Sequence, residues 1–168
     1  ARLTILVHTK EAAHYNDVLL RYNPACAVNT LQVTDVGPDT TIQLQQRIDR
    51  GDWIFIAGDR TPVGSQDRTV FAEFLGRDAP FAQGPYILAS LLKCPVYFMV
   101  CLYKGNGYEL FVEKFADDVT LTRGDREGEL RRHAQQFADR LEHYVLKAPY
   151  QWYNFFDFWE AAPKREQR

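Results

Sequence analysis

Trp53-Ile54-Phe55-Ile56-Ala57 runs straight into Gly58-Asp59-Arg60-Thr61, and the junction between the two pieces decides how the rest of the chain is read. The first piece is apolar, β-branched and aromatic, which is the composition of a buried strand. The second piece opens with glycine and two opposite charges, which is the composition of a turn reaching solvent. In an open α/β sheet the carboxyl end of a strand is where ligands are bound.

Upstream of that junction, Leu3 to His8 (LTILVH) reads as another buried strand. Glu11 to Tyr22 carries Ala12, Tyr15, Val18, Leu19 and Tyr22 at helical spacing, and Asn23-Pro24 stops it. Val28 to Val33 reads as a further strand. Pro38-Asp39 opens a helix through Arg50, with Leu44 and Ile48 four apart, and Gly51 closes it. Strand, helix, strand, helix, strand argues for parallel pairing with helical crossovers.

Downstream, Gly58 to Thr69 is polar and long for a connection in a compact domain, a length usual for functional or mobile loops. Val70 to Leu75 is apolar again, and Gly84-Pro85 starts a helix through Lys93. Pro95 to Tyr103 and Tyr108 to Glu113 flank Gly105-Asn106-Gly107, a hairpin signal. Gly124 to Leu146 is a long amphipathic helix with Leu130, His133, Phe137, Leu141 and Val145 on one stripe. The fold expected is α/β: a largely parallel or mixed sheet flanked by helices, with a C-terminal hairpin and a long helix. Leu3 to His8, Val28 to Val33, Trp53 to Ala57 and Pro95 to Tyr103 are its expected buried strands. Residues 1–168 read as a single domain. The aromatic run Tyr150 to Trp159 has two readings: it packs back on the sheet as core, or it faces a membrane interface, where Trp and Tyr are at ease with one wet end.

With 46% hydrophobic and 25% charged residues the chain can pack a core, and this excludes a disordered segment. A net charge of −2 gives no basic footprint for nucleic acid. Cys26, Cys94 and Cys101 form no disulfide framework and read as reduced thiols of a cytoplasmic chain, the last two as small buried hydrophobes. Ala-Arg-Leu-Thr opens into a strand with no signal peptide and without Met, as a fragment or processed product would. The longest apolar run, Cys94 to Tyr103, falls well short of the roughly 20 residues that span a bilayer.

Several chemistries are absent. No G-x-G-x-x-G follows a strand, Gly58 to Gly64 is one residue too long for a phosphate loop and has no following Lys, and there is no G-x-S-x-G. No His/Cys group has metal-ligand spacing. What stands out is Asp59-Arg60 at a strand end, since arginine grips phosphate or carboxylate with two parallel hydrogen bonds. A solvated turn with a local ion pair is the plain alternative. Gly84, at a helix start, would offer backbone N–H groups to an anion, or be an ordinary helix N-terminus. Asp67-Arg68 reads as solvated surface.

Taken in order, these segments resemble the lysophospholipid acyltransferase superfamily and, within it, the lipid A late acyltransferase branch. The residues that carry the resemblance are Gly58-Asp59-Arg60 after a strand, Arg68 to Phe74, Phe74-Leu75-Gly76 with Ala79, Gly84, Leu88-Ala89, Cys94-Pro95-Val96, Gly107-Tyr108, and Ala148-Pro149 with Gln151-Trp152. They span Gly51 to Trp159. The resemblance implies transfer of a fatty acyl group from a carrier thioester, acyl carrier protein or acyl-coenzyme A, to a lipid or glycolipid hydroxyl. It implies no cofactor. It places the protein in the cytoplasm or peripherally on the cytoplasmic face of the inner membrane.

It also implies an H-x-x-x-x-D/E motif whose His is the general base. His8, His14, His133 and His143 are followed five residues later by Ala13, Leu19, Ala138 and Ala148, so none completes it. The implied motif lies upstream of Ala1, this chain is the C-terminal part of the acyltransferase domain, and alone it is expected to be inactive. Asp59 and Arg60 would position the acceptor or its phosphate, and Gly84 stands at the glycine of a further motif. Gln83 replaces the acidic residue that many members carry before that glycine, which argues against a glycerophosphate acceptor. Two other readings stay open: a non-catalytic module binding an anion or lipid at Arg60 and Gly84, and an unrelated α/β enzyme that binds a nucleotide.

Overall fold

The computed structural model describes residues 1–7, 21, 29–32, 37–61 and 68–159. Its contacts divide the chain into two compact units, Ala1–Ala57 and Gly58–Arg168. The protein is α/β, with parallel and antiparallel pairing.

The first unit is built on β1 (Leu3–Val7), β2 (Asn29–Gln32) and β3 (Trp53–Ile56), in the order β2-β1-β3 with both pairings parallel. Helix α1 (Pro38–Asp49) joins β2 to β3 across β1. The strand period of two turns Thr4 and Leu6 inward, and α1 contributes the fully buried Leu44. Thr4 keeps its hydroxyl satisfied by accepting from Arg47 at 2.7 Å. The end of α1 is a Schellman closure: Gly51 N–H bonds the Ile48 carbonyl, Asp52 N–H bonds the Arg47 carbonyl, and Gly51 takes the φ of +81° that this needs. The predicted Glu11–Tyr22 helix lies outside the described residues apart from Arg21, as do His8, Val28 and Val33.

One expectation here is corrected. Trp53–Ala57 is not a buried strand. Among the described residues β3 pairs on one side only, with β1; Trp53 is 54% exposed and Ile54, Phe55 and Ile56 are half-buried. An apolar run shows that a strand can be covered, not that it is covered on both faces.

The second unit holds two antiparallel hairpins against a long helix. Strands β4 (Thr69–Phe74) and β5 (Arg77–Ala82) turn at Leu75-Gly76, both at positive φ (53° and 75°), the two-residue geometry that matches strand twist. Sequence reading did not assign β5. Helix α2 (Gly84–Leu92) ends at Lys93 in the left-handed region. Strands β6 (Val96–Tyr103) and β7 (Tyr108–Ala116) form the expected second hairpin. They pair with each other alone among the described residues, so β6 is not the buried parallel strand expected of Pro95–Tyr103. Its faces alternate: Phe98 and Leu102 are buried, while Tyr97, Met99, Cys101 and Tyr103 are exposed. Cys101 is thus an exposed thiol rather than a buried one, and Cys94 is half-buried.

Helix α3 (Arg126–Lys147) lays the predicted stripe on the hairpins, and Ala134 and Ala138, both fully buried, let it come close. Leu130, His133, Leu141 and Val145 are buried on that stripe and Phe137 is partly so. Two side chains fix α3 to the first hairpin. Gln135 accepts from Glu73 N–H at 2.8 Å and donates to the Glu73 carbonyl at 2.9 Å; Glu142 accepts from Leu75 N–H at 2.6 Å. A 3₁₀ turn, Pro149–Gln151, follows, and there Gln151 repeats the same two-bond pattern on Tyr103, at 2.7 and 3.0 Å.

Candidate functional site

The residues leaving β3 become specific at Gly58. A Cβ added there would stand 2.6 Å from the ring of Phe137. That ring is itself packed edge-on to Phe81 and Phe98, with centroids 5.9 and 5.4 Å away. Glycine lets the backbone cross beside that ring without displacing it. Crossing there sets the start of the Asp59-Arg60 pair.

Arg60 has three partners. Its Nε lies 3.8 Å from Asp59, its Nη2 donates to the Tyr153 carbonyl at 3.2 Å, and its guanidinium sits 5.2 Å over the Phe156 ring. The side chain remains 46% exposed. The ion pair with Asp59 is the local one that a simple turn would make. The contacts with Tyr153 and Phe156 come from the opposite end of the chain and hold the guanidinium against an aromatic segment. A planar, weakly hydrated cation suits such a place better than an ammonium, because it can stack and bond in the same plane.

The C-terminal segment that meets Arg60 is anchored by its own aromatics. Trp152, Phe158 and Trp159 surround the fully buried Phe74 at centroid distances of 5.2, 5.7 and 6.0 Å. The core reading of this run therefore holds for part of it. Trp152, Phe158 and Trp159 pack as core, while Tyr150, Tyr153, Phe155 and Phe156 are exposed.

Gly84 begins α2, with Pro85 in the first turn and no side chain capping the N-terminus. Gln83, at the capping position, turns its amide away and donates to the Thr69 carbonyl at 2.8 Å, while its N–H bonds the Arg68 carbonyl at 3.0 Å. It ties the start of β4 to the start of α2, a job its amide N–H can do and a carboxylate could not. Gly84 is exposed and nothing lies within 4 Å of where a Cβ would stand, so packing alone does not demand glycine there. The structure joins Asp59 and Arg60 to each other and to the C-terminal segment; their contacts do not extend to Gly84. Asp67 lies outside the described residues, and Arg68 is exposed.

Neither described histidine has the setting of an open general base. His133 is 3% exposed, between the rings of Tyr86 and Phe115. Burial, followed by the nearby Arg132, holds its pKa below the ordinary value. His143 is exposed and lies edge-on to Tyr144. Tyr144 is buried and bonds Glu113; that bond, more than burial, pushes its hydroxyl up to about 12, so it stays a donor. Among the described residues no group of His, Cys, Asp and Glu could hold a metal ion, and no helix is long and apolar enough to cross a membrane.

Sequence reasoning missed Gly58 as a packing requirement, and it missed Tyr153 and Phe156 as partners of Arg60. No spacing rule connects positions 93 residues apart. The one available signal was compositional, since arginine and an aromatic-rich segment suit each other.

Residues 36–160 match the family model described as bacterial lipid A biosynthesis acyltransferase. The chain belongs to that family. No curated protein matches it. The match takes in α1, β3 and the elements from β4 to the 3₁₀ turn, and it includes Asp59, Arg60 and Gly84. The lipid A acyltransferase family gives the chain its general chemistry, which is acyl transfer in lipid A biosynthesis.

Proposed function

We propose that these 168 residues are the C-terminal part of an acyltransferase domain that moves a fatty acyl group from a carrier thioester to a hydroxyl of a lipid or glycolipid. The donor is acyl carrier protein or acyl-coenzyme A. The single observation behind this reading is the family match over residues 36–160. In this reading Arg60 holds an anionic group of the acceptor or carrier, Asp59 orients the guanidinium, and Gly84 leaves room for substrate at the start of α2. The base that takes the hydroxyl proton is the His of an H-x-x-x-x-D/E motif outside these residues. Two features support that placement: no histidine here has a carboxylate five residues on, and His133 is sealed in the core. The protein works in the cytoplasm or at the cytoplasmic face of the inner membrane.

The test is transfer from labelled acyl carrier protein or acyl-coenzyme A to a lipid extract. The complete open reading frame should transfer and the 168-residue chain should not, since loss of a general base costs about 10²–10⁴-fold. Turnover by the 168-residue chain would put the base inside it and overturn this reading. In the complete protein, Arg60→Lys should lower kcat/KM because it keeps charge and loses the fork, and Arg60→Ala should lower it further. Near-normal kcat/KM for Arg60→Ala would leave Arg60 as a strut for the C-terminal segment.

A further inference from the structure

The segment that meets Arg60 is a short strap pinned at both ends to one buried ring. Trp152 stands before the strap and Phe158 and Trp159 after it, and all three pack on Phe74. A span as short as residues 153–157, closed at both ends on the same ring, has few conformations open to it. Two of its groups meet the guanidinium. Asn154 N–H bonds the Trp152 carbonyl, a three-residue turn centred on Tyr153. The Tyr153 carbonyl takes no part in that turn and accepts from Arg60 Nη2 instead. The Phe156 ring lies 5.2 Å from the guanidinium carbon and leans on the buried Phe158, with centroids 6.1 Å apart.

A planar fork on a flexible stem must give up both its tilt and its rotation in the plane before it can grip an oxyanion with two parallel bonds. The Phe156 face limits the tilt. Asp59 at Nε and the Tyr153 carbonyl at Nη2 limit the rotation. Nη1 has no protein partner among the described residues, and the side chain is 46% exposed, so that side of the fork stays open. An arginine that served only to tie down the strap would turn its fork onto it. Arg60 gives the strap one hydrogen bond and keeps Nη1 for something else.

We propose that Phe156 and the Tyr153 carbonyl are positioning groups for Arg60, holding its guanidinium with the Nη1 side toward solvent and ready for an anionic oxygen of the substrate. The substrate half of this inference rests on the acyltransferase reading of Arg60. Ordering the side chain before the ligand arrives removes that cost from binding. The segment that does the ordering lies 93 residues away in the sequence.

The test has one arm without turnover and one with it. In the 168-residue chain the Arg60 Nε–H NMR signal, assigned by its loss in Arg60→Ala, reports the order of the guanidinium. Its order parameter should fall in Phe156→Leu and recover in Phe156→Tyr, which keeps the ring face. Phe155→Leu, at the neighbouring ring that is 90% exposed, should leave it unchanged. Phe156 is 47% exposed, and far-UV circular dichroism checks that its variants fold. In the complete protein Phe156→Leu should lower kcat/KM about two- to fivefold, the size of an exposed cation–π contact. It should lower it no further in an Arg60→Ala background. A loosened fold would give the same loss in both backgrounds. Unchanged order in Phe156→Leu, or an equal loss of kcat/KM with and without Arg60, overturns the proposal. Order that falls while the complete protein transfers no acyl group would leave the positioning of Arg60 standing and remove the acyltransferase reading. A large loss for Arg60→Ala with none for Phe156→Leu would do the reverse.

Discussion

The β4–β5 hairpin hides most of its side chains, whereas the β6–β7 hairpin turns half of its apolar residues outward. On β4, Val70, Ala72 and Phe74 are buried; on β5, Ala79, Pro80, Phe81 and Ala82 are all buried despite the charged residues that open the strand. On the second hairpin Phe98, Leu102 and Phe115 are buried, while Tyr103, Tyr108, Leu110 and Val112 are exposed. By hydrophobicity alone the second hairpin would be ranked as the more buried. What decides is cover. The C-terminal aromatic segment closes over Phe74 in the first hairpin, and nothing among the described residues closes over Leu110 in the second.

The sharpest way to break this comparison is truncation at one site in each hairpin. Phe74→Ala should cost about 3–5 kcal/mol in denaturant unfolding, because it empties the centre of a closed aromatic cluster. Leu110→Ala should stay within about 0.5 kcal/mol. Equal losses would mean that the outward face is covered after all. Next in size is Gly58→Ala. The added methyl presses on Phe137, the ring packed against Phe81 of one hairpin and Phe98 of the other, and overpacking of this kind costs about 1–3 kcal/mol. A lowered thermal midpoint that Phe137→Leu partly restores would tie the loss to that contact.

Gln135→Ala and Gln151→Ala test a device that both hairpins share. Each removes two hydrogen bonds to one strand residue and should cost about 1 kcal/mol. Amide exchange should quicken at Glu73 in the first variant and at Tyr103 in the second, and exchange unchanged at those amides would show that the side chains do not hold the strands. The smallest effect is on pH. The folded pKa of His133 lies below its ordinary 6.5, so the unfolded chain binds its proton first as pH falls. Stability should decline as pH drops through about 6.5 toward the folded value, and His133 should contribute no slope above that window. His133→Leu should remove this part of the pH dependence; an unchanged profile would assign it to other groups.

Much of the fold was legible because the strands and helices that matter announce themselves by period. The stripe Leu130, His133, Phe137, Leu141 and Val145 predicted which side of α3 is covered, and Gly51 marked the end of α1. β5 was not legible, because Arg77-Asp78 and Pro80 argue against a strand and its burial is imposed by α3 and Phe158. Trp53–Ile56 was read as too buried for the same reason that the second hairpin was: composition carries no information about what lies opposite. At the candidate site, the position of Arg60 at a strand end followed from the sequence. Its partners did not, since Tyr153 and Phe156 reach it only through packing of Trp152 and Phe158 on Phe74.

A two-stranded ribbon has two open edges, and an unpaired N–H beside an unpaired carbonyl is a template on which a foreign strand can grow. Gln135 and Gln151 occupy such a donor and acceptor pair at Glu73 and at Tyr103, using an amide that imitates one residue of a neighbouring strand and then stops. An incoming chain in register would find its ladder interrupted on each hairpin. Each glutamine therefore guards its edge against fibril-like growth at that residue.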